Sequence, residues 1–221
     1  MSIQLAAYHQ LKETTALSNV TLVAVSKLKP ASDIQEMYDL GHRDFGENYV
    51  QELVDKATQL PQDIRWHFIG HLQSNKVKYL ASFVHLIHGI DSEKLLAEVN
   101  KQAAKQNRTI ACLLQVHIAQ EETKFGFDAS ELNAIAAKIK DNVFPNVSVE
   151  GLMGMASFSD DVEKVGSEFD FLKQQFDEMK IMLSSPSFQT LSMGMSGDYE
   201  LAIKKGSNMI RVGSLLFGRR G

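Results

Sequence analysis

The sequence predicts an α/β protein built as a closed (β/α)8 barrel of the TIM-barrel kind, on three observations. Short apolar runs alternate with amphipathic stretches from end to end, and eight such runs can be counted. The runs are nearly continuously apolar and β-branched, as strands buried on both faces are, and no series of hairpin signals joins them. The length, 221 residues, holds eight such units with little to spare. A doubly wound open sheet is the alternative. Its dinucleotide-binding form is weakened because no G-x-G-x-x-G follows the first strand.

The elements follow in order. Residues 1–18 are expected to form an N-terminal helix, and Val20–Ser26 the first strand. Ser32-Asp33-Ile34-Gln35 has capping-box spacing, and Ile34, Met37 and Tyr38 then recur on one helical face. Asp44–Gly46 is a short second strand followed by a helix over Glu47–Ala57. Trp66–Ile69 is the third, with a helix from Ser74. Val84–Ile90 is the fourth, with Asp91 as the cap of a helix carrying Leu95, Leu96 and Val99. Thr109–Ile118 is the fifth, followed by a helix capped by Ser130. Val147–Met155 is the sixth, and the longest helix then repeats Phe169, Leu172, Phe176, Met179 and Leu183 on one face. Phe188–Ser192, a helix over Asp198–Lys205, and Asn208–Val212 complete eight units. Nothing divides the chain, so residues 1–221 are expected to be one domain.

Composition narrows the function classes. A hydrophobic fraction of 44%, a charged fraction of 23% and a net charge of −4 describe an ordinary globular protein without general affinity for nucleic acid. Arg219 and Arg220 are too few to make a basic tail. Cys112 is the only cysteine and lies in an apolar run, so a buried, inert thiol is expected. No signal layout opens the chain and no apolar run reaches spanning length. A cytoplasmic protein with no membrane association is the expectation, and a monomer the default state.

In such a barrel the loops after the strands share one face, where functional residues collect. Lys27 ends strand one, Asn48 follows strand two, His71 follows strand three, and Arg211–Ser214 ends strand eight. Strands one and eight are neighbours in a closed barrel, so Lys27 and Arg211 should meet at one mouth. A lysine at a strand end is ordinarily a solvated surface group; at the rim of a core, desolvation can make it a nucleophilic amine.

Two stretches resemble an anion cradle: Ser192-Met193-Gly194-Met195-Ser196-Gly197-Asp198 and Arg211-Val212-Gly213-Ser214. Backbone N–H groups beside serine hydroxyls suit a dianionic phosphate, and phosphate sites after strands seven and eight recur in barrels. The plainer reading of each is a turn, with glycine for backbone freedom and Ser196 as a helix cap. Arg211 could bind the phosphate or reach a ring nitrogen.

These segments resemble a known family. VAVSKLKP (23–30), FGENYVQE (45–52), RWHFIGHLQSNKVK (65–78), KFGF (124–127), GLM (151–153) and LSMGMSGDYELAIKKGSNMIRVGSLLFG (191–218) are similar to the YggS/PROSC family of pyridoxal phosphate homeostasis proteins. These are small barrels of the alanine-racemase-like, fold type III kind that bind pyridoxal 5'-phosphate (PLP). The resemblance implies that Lys27 carries PLP as a covalent Schiff base. It further implies that Arg211 faces the pyridine nitrogen, that Ser196, Gly213 and Ser214 hold the phosphate, and that Asn48 lies near the ring. The sequence departs from the family pattern at Gln115-Val116-His117, where asparagine usually ends the motif, and at Gly154-Met155-Ala156. Neither touches the lysine or phosphate motifs.

The remaining candidates have plainer readings. His67 and His71 are four apart, and no Cys or carboxylate cluster completes a metal site around them, so a hydrogen-bonded or packing role is expected. His85 and His88 should point to opposite strand faces. Met153, Met155, Met193 and Met195 near strand ends are expected as adaptable packing.

The expected function is a PLP-binding protein of intracellular vitamin B6 and amino-acid homeostasis, without robust catalysis. The racemases that resemble this barrel draw a second acid/base from an added β-domain, which this chain is expected to lack. PLP-requiring apo-enzymes are the partners implied. One alternative is an amino-acid racemase with a base recruited from Tyr49, His67, His71 or His117. The other is a plain phosphate-binding barrel in which Lys27 is only a charge partner.

Overall fold

The computed structural model describes residues 3–119 and 125–218. Lys124 of the KFGF motif, and Arg219 and Arg220, lie outside the described residues. Eight parallel strands form a closed barrel in sequence order: β1 Thr21–Val25, β2 Asp44–Glu47, β3 Arg65–Phe68, β4 Leu86–Ile90, β5 Ile110–Gln115, β6 Val147–Met153, β7 Thr190–Ser192 and β8 Met209–Val212. Closure is made by β1 against β8, with Val23 opposite Arg211 and Ala24 opposite Val212, which rules out the open sheet. Helices α1 Leu5–Leu17, α2 Ala31–Asp39, α3 Val50–Gln59, α4 Val77–Leu80, α5 Glu93–Lys105, α6 Ala129–Lys140, α7 Val162–Leu183, α8 Tyr199–Lys204 and α9 Ser214–Phe217 complete the units. None is long and apolar enough to cross a membrane among the described residues.

Several boundaries differ from expectation, each for a local reason. The fifth strand stops at Gln115 because Val116 bridges Phe127 instead, where the chain returns. The fourth begins at Leu86 because the Val84 amide still donates to Leu80. The third helix starts at Val50, since Glu47 remains in the ladder and accepts from Ile69. Ser32 caps nothing: extended Pro30 is the N-cap and Ser32 already lies inside α2. Ser92, not Asp91, caps α5 through the Leu95 amide. Asp128, not Ser130, caps α6 and forms a reciprocal box with Glu131, while the Ser130 hydroxyl donates to Asp128. A carboxylate accepts better than a hydroxyl that is itself donating.

Most of the core lies between barrel and helices, where Phe45, Phe68, Phe169 and Phe188 are fully buried. Cys112 is buried there, and burial pushes its thiol pKa up, leaving it inert. A smaller cluster of Val23, Leu86, Leu113, Met153 and Met209 fills part of the barrel axis. Buried polar side chains, including His67, His88, Ser192 and Arg211, share that axis.

Candidate functional site

Lys27 follows β1 by two residues and is half-buried at the mouth where the strands end. The turn that presents it is held from both sides. The Ser26 hydroxyl donates to Glu47 Oε1 at 2.6 Å, and the Leu28 amide donates to Glu52 Oε1 at 2.6 Å. Between these carboxylates sits buried Lys56, whose Nζ donates to Glu47 and Glu52 at 2.7 Å each and to the Ser26 carbonyl at 2.8 Å. Burial raises the Glu47 pKa, with the Lys56 charge opposing it. Leu28 itself takes a left-handed φ of 61°, unfavourable for a branched side chain. The clamp therefore fixes the residues flanking Lys27 in a conformation they would not adopt unaided. Sequence reasoning missed it. The available signal was Lys56 standing three residues after Leu53 on the apolar stripe of α3.

Arg211 is 4% exposed and points into the barrel axis. Its Nη1 donates to the Ser192 carbonyl at 2.9 Å and to Ser192 Oγ at 2.6 Å, and its Nη2 to the Gly154 carbonyl at 3.0 Å. These partners are neutral oxygens. Burial lowers its pKa to about 10, which leaves the guanidinium charged near neutrality.

The two loop stretches meet as the sequence implied. The Gly213 amide donates to Ser196 Oγ at 3.3 Å, tying the loop after β7 to the end of β8. Ser196 is half-buried and Ser214 exposed in the first turn of α9, so both stand on the rim. Ser196 is not a helix cap; Asp198 is the N-cap of α8. A Cβ on Gly213 would come within 3.2 Å of the Val25 carbonyl, which places this amide beside the end of β1.

Asn48 follows β2, half-buried, with its Oδ1 buried and without a hydrogen-bond partner among the described residues. Buried side-chain oxygens are ordinarily paired, so this one is an acceptor open to a donor. A Cβ on Gly70 would lie 2.4 Å from the Asn48 carbonyl, so glycine there lets the β3 loop pack on Asn48.

The histidines separate. His71 is exposed, bonded through Nδ1 to Asp91 at 3.1 Å and stacked on Phe125. His67 faces the opposite half of the barrel, where its Nε2 reaches Asp44, the first residue of β2, at 3.1 Å. His85 and His88 do not diverge as alternation suggested: their rings lie 5.3 and 5.2 Å from His67. His85 precedes the first residue of β4, so strand alternation does not govern it. Among the described residues, no group of three or more His, Cys, Asp or Glu could hold a metal ion.

A cavity of about 500 Å³ opens over the ends of β5, β6 and β7, lined by residues including Gln115, Phe125, Met155, Ser157 and Met195. Neither Lys27 nor Arg211 is among its lining residues, and it extends to Gly197 and Asp198 in the loop after β7. Of the four methionines near strand ends, Met153 packs in the axis and Met193 in the outer core, while Met195 remains partly exposed at this cavity.

A closed barrel with a lysine after its first strand and a buried arginine in its last defines a class. The family described as alanine racemase, N-terminal domain, matches residues 5–221, and the chain belongs to it. Within that family its similarity is to the pyridoxal phosphate homeostasis proteins. That of Pasteurella multocida is 37% identical over 206 residues, covering 92% of this chain and 88% of the relative. The structure of PipY from Synechococcus elongatus without PLP is 34% identical with a TM-score of 0.89, covering 96% of this chain and 99% of PipY. PipY with PLP bound is 35% identical with a TM-score of 0.83, over 90% and 93% of the two chains.

Proposed function

We propose that this chain binds PLP at the mouth formed by Lys27, Asn48, Ser196, Arg211, Gly213 and Ser214, and serves intracellular vitamin B6 homeostasis without robust catalysis of its own. The observation that carries the reading is the union of an amine after β1 with the Ser196–Gly213 loop pair across the β1–β8 seam. PLP bound to PipY, a similar chain, supports it. When bound, PLP supplies an aldehyde that condenses with a primary amine with loss of water.

The residues present fit that group. The Asn48 Oδ1, without a partner among the described residues, offers an acceptor for a donor on the ligand. Ser196 and Ser214 offer hydroxyls to the phosphate, and the Gly213 amide can exchange Ser196 for a phosphate oxygen. Arg211 keeps its protons near neutral pH, so a pyridine nitrogen set against it stays unprotonated and a poorer electron sink than one facing a carboxylate. Racemisation would further need an acid/base opposite the lysine. Of the four candidates, His67 is turned to the other end and His71 is engaged with Asp91. Lys27 then acts as an anchor that holds the cofactor and releases it, with PLP-requiring apo-enzymes as recipients.

Borohydride reduction of the PLP-loaded protein, followed by peptide mass spectrometry, should place the pyridoxyl mass on Lys27 and on no other lysine. The Lys27→Ala variant should lose the visible chromophore. An adduct on another residue, or none, overturns the assignment. Solvent deuterium should not enter the α-carbon across a panel of amino acids; incorporation would restore the racemase.

A further inference from the structure

One line of buried polar groups crosses the barrel axis from Arg211 to the opposite end. From the mouth inward, Arg211 Nη1 lies 2.6 Å from Ser192 Oγ, and Ser192 Oγ 3.3 Å from His88 Nδ1. His88 Nε2 lies 2.9 Å from His67 Nδ1, and His67 Nε2 3.1 Å from Asp44 Oδ1. At the far end, Asp44 also receives Arg65 Nε at 2.7 Å. His67, His88, Ser192 and Arg211 are each nine-tenths or more buried.

We propose that Asp44, His67, His88 and Ser192 are positioning residues forming a proton-ordered chain that holds Arg211 under the cofactor, with its direction set from the opposite mouth. This rests on the PLP reading for what Arg211 faces, and on geometry alone for the chain.

The order follows from donor and acceptor rules. Asp44 pairs with Arg65, and as a carboxylate it only accepts, so His67 Nε2 carries a proton. A neutral His67 then accepts at Nδ1, which requires a proton on His88 Nε2. A neutral His88 accepts in turn at Nδ1, so the Ser192 hydroxyl donates to it. That leaves the Ser192 lone pairs directed at Arg211, which can only donate. Every donor in the line points away from Arg211 toward Asp44. Reversing any link leaves two donors or two acceptors facing each other, unless a second proton makes His67 or His88 an imidazolium. Burial, with the Arg211 charge adding to it, holds the His88 pKa well down and supports its neutral form.

The test uses the cofactor-free protein with nitrogen-15 in its histidines. Long-range nitrogen–proton spectra at a pH of about 8, where an ordinary imidazole is neutral, read each tautomer directly. His67 and His88 should both be neutral with the proton on Nε2. An imidazolium at His67, or an Nδ1–H at either ring, overturns the order, and this needs no variant. In Asp44→Ala the nitrogen shifts of His88, which does not touch Asp44, should move toward a tautomer mixture. His88 shifts unchanged from the wild type would reduce the line to separate contacts and overturn the proposal. Ser192→Ala, nearly isosteric, should weaken PLP binding about 2–10-fold, the worth of one ordinary hydrogen bond. Unchanged affinity would remove the positioning role. If instead no adduct forms at Lys27 in the wild type, the PLP reading fails, and the histidine spectra still decide the chain.

Discussion

Lys56 Nζ donates to Glu47 Oε1 at 2.7 Å behind the Lys27 turn, with the two side chains 7% and 0% exposed. Removing one member of a buried pair leaves the other charge uncompensated, which costs about 3–5 kcal/mol. Lys56→Met should therefore lower the melting temperature sharply. It should also release the Ser26 carbonyl and relax Leu28, so adduct formation at Lys27 should fall even where the protein stays folded. Calorimetry and borohydride trapping, run below the variant's melting point, separate the two effects.

In the proposed site Ser196 would bear on the phosphate rather than on the lysine. A hydrogen bond to a charged group contributes about 1.5–3 kcal/mol, so Ser196→Ala should weaken PLP binding roughly 10–100-fold. Affinity for pyridoxal, which has the aldehyde but no phosphate, should change little. Equal losses for both ligands would place Ser196 elsewhere. Titration of the cofactor-free protein with each ligand reads the difference.

Much of this architecture was legible in the sequence, and the failures have a common cause. Strand positions came from apolar runs, which burial on both faces imposes. Their ends did not, because chain return at Phe127 and the turn at Leu80 are tertiary events. The meeting of Lys27's strand with that of Arg211 followed from closure alone. Neither the Glu47–Lys56 clamp nor the His67–His88 line was read. In both, charged or polar groups sit inside apolar patterns and make sense only with partners 9 and 21 residues away. A histidine within the run Leu86-Ile87-His88-Gly89-Ile90 was the visible trace.

His42 governs part of the acid response. It packs edge-on against Tyr8 and Phe45, and its Nε2–H donates to the Asp44 carbonyl at 2.9 Å. Burial, the largest cause, lowers its pKa from 6.5 to about 4. Between those values the unfolded chain binds a proton that the folded protein refuses, so stability is full above 6.5 and is lost as pH falls through about 4. His88 is shifted in the same direction and adds to the slope. Urea titrations across that range should show the midpoint falling with pH. His42→Gln, which keeps a donor and does not titrate, should flatten the slope; an unchanged slope would assign the acid response to other groups.

Gly194 gives the sharpest steric prediction. It lies between β7 and Ser196 with φ of 94°, and a Cβ there would come within 2.5 Å of the Ala202 Cβ on α8. Its carbonyl also accepts from the Arg211 amide at 3.0 Å, so moving it disturbs the end of β8. Gly194→Ala meets both penalties: backbone strain of about 1–3 kcal/mol and a clash relieved only by shifting α8 or the loop. Gly197, six residues before Ile203 on the same loop-helix segment, has no atom of the described residues within 4 Å of where a Cβ would sit and no positive φ. Gly197→Ala should therefore leave the melting temperature nearly unchanged, while Gly194→Ala lowers it and weakens PLP binding together. Comparable behaviour of the two variants would mean that the loop adapts freely, and that the Ser196–Gly213 contact is not what orders the phosphate side.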